Sequence, residues 1–167
     1  MKIIYSILAI LILAFFGAAI YFQPADTPRL GEAQPDKQGG HVAKKEYGGP
    51  EPPTSGDHGD TVEWGPYATE VADVNSLHNL EHGGIYVSYQ PDLPKDQVEL
   101  LKKLLFPPYK DEDFKPLKVL MAPREANESP IVVSSWNRSM KLDSYNKDKI
   151  VAYYKSNVGK SPEPLGR

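Results

Sequence analysis

From Ile3 to Phe22 the chain runs for 20 residues without a charged side chain, and this stretch separates a part suited to lipid from a part suited to water. As a helix rising about 1.5 Å per residue it reaches roughly 30 Å, the thickness of a hydrocarbon core. It is apolar on every face, unlike the surface helix of a soluble domain. A secretory signal has an apolar core of only about 7–15 residues. Gly17 and Ala19 offer a small-residue cleavage site, but Ile20-Tyr21-Phe22 carry the run past it. Residues 1–22 are therefore expected to form an uncleaved transmembrane helix, with Tyr21 and Phe22 at the interface. Lys2 and the N-terminal amine favour a cytoplasmic start. The expectation is a single-pass protein of the cell membrane whose C-terminal part is extracytoplasmic.

Residues 23–46 are rich in proline, glycine and charge, and poor in large apolar side chains. Such a segment buries too little apolar surface to offset its ordering entropy, so it reads as a flexible linker. Residues 47–164 then have the length and composition of one domain. The formal net charge is -3 and no basic patch stands out, so no nucleic-acid partner is expected. There is no cysteine, which excludes disulfides, thiolate metal sites and iron–sulfur clusters. No feature identifies a protein partner.

Within the domain, Asn75–His82 reads as a short helix, capped by Asp73 or Asn75 and ended by Gly83-Gly84. Ile85–Tyr89 is β-branched and aromatic and predicts a strand. Residues 95–106 place Val98, Leu101, Leu104 and Leu105 on one helical face, and Pro107-Pro108 stops that helix. Leu117–Ala122 and Ile131–Trp136 predict two strands joined as a hairpin by the polar loop 123–130. Asn146 can cap a last helix over 147–156. The expected fold class is α+β: a small sheet of about three or more strands with two main helices on one face, preceded by the transmembrane helix. The irregular region 47–74, with Tyr47, Trp64 and Tyr67, is suited to cover the other face.

The chain has four histidines, and three fall in two compact contexts: His58 closes Pro52-Pro53-Thr54-Ser55-Gly56-Asp57-His58, and His78 and His82 frame His78-Asn79-Leu80-Glu81-His82-Gly83-Gly84. A spacing of four puts His78 and His82 on one helical face, as two metal ligands require. The ordinary alternative is that one histidine packs and the other interacts with the helix C-terminus. His58 lies in a loop, where function often resides. His41 reads as a solvated residue of the linker.

These two motifs, with the later Trp136, resemble the domain-of-unknown-function 3105 family over residues 47–164. The resemblance implies a mostly prokaryotic protein, often with one N-terminal membrane segment, and no established activity. It supports the choice of His58, His78 and His82. Where the family more often has glycine after the tryptophan, this chain has Asn137.

Three imidazoles suit copper or zinc, and a thioether favours Cu(I). Met121 is therefore a candidate fourth ligand, although methionine commonly just fills a core. Glu81, beside His82, is a candidate outer-shell partner that would orient a ring. The leading reading is a metal-binding module, copper before zinc, used in metal handling. One alternative is a structural or protein-interaction module without metal. Another follows from His78-Asn79-Leu80-Glu81-His82, which matches the inverted zinc-hydrolase pattern. That reading needs a further acidic ligand such as Glu99, Glu125 or Glu163, and the glycines after His82 break the helix it requires. Neither Ser55, Ser76 nor Ser135 sits in a nucleophile motif, so no catalytic residue is assigned.

Overall fold

A computed structural model describes residues 28–166, and the expected transmembrane helix at 1–22 lies outside the described residues. Among the described residues no helix is long and apolar enough to cross a membrane.

A mixed sheet of six strands organises the domain. In chain order the elements are β1 (Glu32–Ala33), β2 (Gly65–Pro66), α1 (Asp73–Glu81), β3 (Ile85–Tyr89), α2 (Lys95–Leu105), β4 (Val119–Pro123), β5 (Ile131–Ser135), β6 (Arg138–Leu142) and α3 (Lys147–Asn157). The strand order is β1-β6-β5-β3-β4-β2. β3 lies at the centre, parallel to β4 and antiparallel to β5. It is buried along its whole length, as its continuous run Ile-Tyr-Val-Ser-Tyr requires.

Alternation along the strands divides the core in two. Ile85, Val87, Val119, Met121, Ile131 and Val133 point to one face and pack with Leu101, Leu104 and Leu105 of α2 and Ile150 and Tyr153 of α3. Tyr86, Leu120 and Ala122 point to the other face and pack with Leu77 and Leu80 of α1, with Val71 and Trp136. Tyr47, Val62, Trp64 and Tyr67 complete that second layer from irregular chain.

The expected architecture needs correction in several respects. The sheet has six strands where about three or more were expected, and helices lie on both faces, not one. β1 and β2 are two residues long, too short for any alternation to show, and they exist because a neighbouring edge pairs with them. β6 reads Arg-Ser-Met-Lys-Leu, whose charges obscure a strand that buries Ser139 and Leu142. Leu117–Ala122 and Ile131–Trp136 do not form a hairpin, because β3 separates them. The loop between β4 and β5 instead crosses the end of β3, where Arg124 N donates to Tyr89 O and Gln90 N to Pro130 O. The tight hairpin joins β5 to β6 through Trp136-Asn137. Asn137 has φ 56°, a left-handed conformation that asparagine tolerates better than most residues.

Within the segment read as a flexible linker, residues from Arg29 onward are hydrogen-bonded to the domain. Arg29 donates to Asn157 Oδ1 at 2.9 Å, Ser135 Oγ at 3.3 Å and the Trp136 carbonyl. β1 then pairs with β6. Backbone and side-chain hydrogen bonds hold this segment, which apolar composition does not reveal.

Candidate metal centre

α1 supplies two of the imidazoles. Neither Asp73 nor Asn75 caps it; the N-cap is Ala72, without a side-chain hydrogen bond. Asp73 lies in the first turn and holds the buried Arg124 through two 2.8 Å bonds, while Asn75 Nδ2 donates to Asp60 O. The helix ends as expected at the glycines. Gly83 N donates to Leu80 O and Gly84 N to Asn79 O, with Gly83 at φ 79°. This is the paired pattern that closes a helix through a left-handed residue. Gly84 also lets the Trp64 ring lie on the backbone, where any Cβ would collide.

His58 is positioned by irregular chain. Ser55 Oγ accepts from Lys37 N and donates to Pro35 O, both at 2.9 Å. His58 N donates to Gly40 O at 3.1 Å, and Val42 N donates to His58 O at 2.8 Å, forming a short parallel bridge between His41 and His58. A Cβ on Gly39 would overlap the Gly56 backbone, so glycine there permits the approach. The bridge brings His41 beside His58.

The four histidine rings form one connected cluster, with His41, His58 and His78 mutually adjacent and His82 joined through His78. Centroid separations are 4.6 Å for His41–His58, 4.7 Å for His41–His78, 4.9 Å for His58–His78 and 4.6 Å for His78–His82. One ring nitrogen from each of His41, His58 and His78 lies within 4.8 Å of the other two. These three histidines could hold a metal ion.

Tautomers follow from the backbone. His58 Nδ1 lies 3.0 Å from Gly56 O, and His78 Nδ1 hydrogen-bonds to Gly59 O. A carbonyl only accepts, so each Nδ1 carries a proton, and Nε2 is the ring nitrogen that could coordinate a metal. Metal-binding histidines typically donate their other ring N–H in this way. His58 is 2% exposed and its Nε2 has no hydrogen-bond partner. Glu81 Oε2 is 2.9 Å from that nitrogen, an ion-pair distance without a formed hydrogen bond. Burial holds the His78 pKa below its ordinary value. The neighbouring His82, His58 and His41 add to this shift, while the Gly59 carbonyl opposes it. A ring that resists protonation remains able to coordinate near neutral pH.

The other predicted residues lie elsewhere. His82 caps α1 outside the three-nitrogen group, with Nε2 3.6 Å from Glu163 Oε2. Residues after Gly159 fold back over this end of the helix. Lys118 Nζ donates to the carbonyls of His82, Pro164 and Gly166 at 2.9, 2.9 and 2.7 Å. Met121 packs in the core beneath α2 and α3, on the sheet face opposite α1. The inverted-hydrolase geometry is not formed: the Glu81 carboxylate rests against His58, and His82 is outside the ligand group. Glu99 pairs with Lys102 on the surface of α2. His41 was missed because its surroundings are polar and glycine-rich. The available signal was the glycine doublet Gly39-Gly40 directly before it, which parallels the glycine two residues before His58.

A family sequence model described as a protein of unknown function, DUF3105, matches residues 41–166. The chain belongs to this family. The matched span contains all four histidines and every described element from β2 to α3. No curated protein matches the chain. No solved structure matches it either.

Proposed function

We propose that this DUF3105 protein is a membrane-tethered, extracytoplasmic domain that binds one transition-metal ion through His41, His58 and His78. The observation carrying this reading is the mutual approach of three imidazoles, two of them buried and each oriented by a backbone carbonyl at Nδ1. The third imidazole lies within 4.8 Å. An all-nitrogen donor set suits copper and zinc, and divalent copper outranks zinc in affinity for such ligands. The remoteness of Met121 removes the thioether argument for Cu(I), so Cu(II) leads and zinc follows. The uncharged run Ile3–Phe22 supports the tether, and metal handling at the membrane surface is the role such a module fits.

The test loads the full chain, in detergent, separately with Cu(II), Zn(II) and Cu(I), and measures retained metal against a competing chelator. One ion per chain is expected. His58→Ala and His78→Ala should abolish retention, and His41→Ala should weaken it. A metal-free interaction module has one observation in its favour: a protonated His58 would pair with Glu81 without any ion. No retention at micromolar metal, or retention unchanged in His58→Ala, would favour that rival.

A further inference from the structure

The three candidate ligands differ in access. His58 and His78 are 2% and 8% exposed, whereas His41 is at the surface. A cavity of about 320 Å³ opens beside His41, walled by Ala43, Gly59, Asp60, Val74 and Asn75. Glu81 approaches the cluster at His58, and its carboxylate is not within the three-nitrogen group. Three nitrogens leave at least one position unfilled on a zinc or copper ion, which takes four or more ligands.

We infer that the bound ion keeps a coordination position for an exogenous neutral nitrogen donor of the imidazole type, admitted through the cavity beside His41. This rests on the metal reading given above. The cavity wall argues for the ligand class. Its one ionisable group besides His41 is the Asp60 carboxylate, and it contains no lysine or arginine to attract an anion. Its volume exceeds that of a single five-membered ring. Ala43 and Gly59 add little bulk to the wall, so a ring can enter beside His41 without displacing a large side chain. The donor is either a free small molecule or the histidine of a metal-receiving partner; the chemistry at the ion is the same.

The experiment titrates Cu(II)-loaded full chain with imidazole while following the visible ligand-field band and the nitrogen hyperfine structure in electron paramagnetic resonance. A saturable spectral change at one imidazole per copper, with copper retained, is expected. Parallel titration with a short blocked peptide containing one histidine separates the sources, since only a donor from a partner must enter while attached to a chain. Ala43→Trp fills the cavity and should weaken imidazole binding at least about tenfold while copper stoichiometry stays at one. Asp60→Lys, at an exposed position, should shift preference from imidazole toward azide by several-fold. A spectrum that imidazole leaves unchanged while copper stays bound would overturn the inference. So would wild-type behaviour of both variants. A chain that never retains copper fails the metal reading itself, and the inference falls with it.

Discussion

One face of the sheet is closed by two amphipathic helices, the other by one short helix and a long irregular stretch. Beneath α2 and α3 the contacts are almost wholly apolar: Leu101, Leu105, Ile150 and Tyr153 are at most 1% exposed over Val87, Met121 and Val133. Around α1, closure depends on directed bonds. Asn79 exchanges both amide groups with the Val62 backbone at 3.0 and 2.8 Å. Arg124 links Asp73, Asn127 and the Gly49 carbonyl. Apolar packing tolerates exchange among similar shapes, whereas a hydrogen-bonded irregular layer fixes backbone positions one by one. The second kind of layer can aim side chains, and all four imidazoles are found there. The comparison assigns stability mainly to one face and chemistry to the other.

The largest effect that would test this division is in the helix-covered core. Leu101→Ala removes a fully buried side chain and should cost about 2–5 kcal/mol in denaturant unfolding. Retained metal per folded chain should not change. A loss of metal stoichiometry in the folded variant would show that the two faces are coupled.

An intermediate effect is expected at Gly39, on the irregular side. Gly39→Ala forces its Cβ onto the Gly56 backbone and separates His41 from His58. Metal affinity should fall on the order of tenfold, as for loss of an outer-shell support, in a chain that remains folded. Competition with a chelator, alongside thermal unfolding, reads the two quantities separately. Unchanged affinity would remove His41 from the site.

The regular face was the more legible one. β3, α2 and α3 follow from periodicity, because their side chains are selected by a continuous apolar core. Asn146 caps α3 by accepting from Lys149 N at 3.0 Å, as its position suggests. Pairing order was not legible: nothing local in Leu117–Ala122 or Ile131–Trp136 says that a third strand lies between them. The candidate site was half legible. His58 and His78 stand in distinctive motifs, but His41 arrives through a two-bond backbone bridge that no side-chain pattern encodes. Met121 was misleading because a strand's alternation, not its ligand chemistry, decides which face a side chain occupies.

The smallest effect belongs to the surface near α3. Lys147 Nζ lies 2.8 Å from Asp111 Oδ2 and holds that carboxylate below its ordinary pKa. A depressed carboxylate stabilises the fold above its unfolded pKa and loses that contribution as pH falls through the folded value. Lys147→Ala should therefore lower stability slightly at neutral pH. The difference from wild type should shrink on acidification below about pH 4. High salt should also reduce it, since the pair is exposed. A difference that grows toward low pH would contradict the assignment.

The histidines have one more consequence. His41, His58 and His78 come from three separated parts of a chain that contains no cysteine. An ion joining them would act as a reversible cross-link, closing two successive loops much as disulfides do elsewhere; for a loop of about 15 residues that constraint is worth ~3 kcal/mol. Metal occupancy would then be a mechanical property of the domain as well as a chemical one, stapling the segment around His41 to α1 when filled and leaving it held by its hydrogen bonds and the Lys45–Asp57 pair when empty.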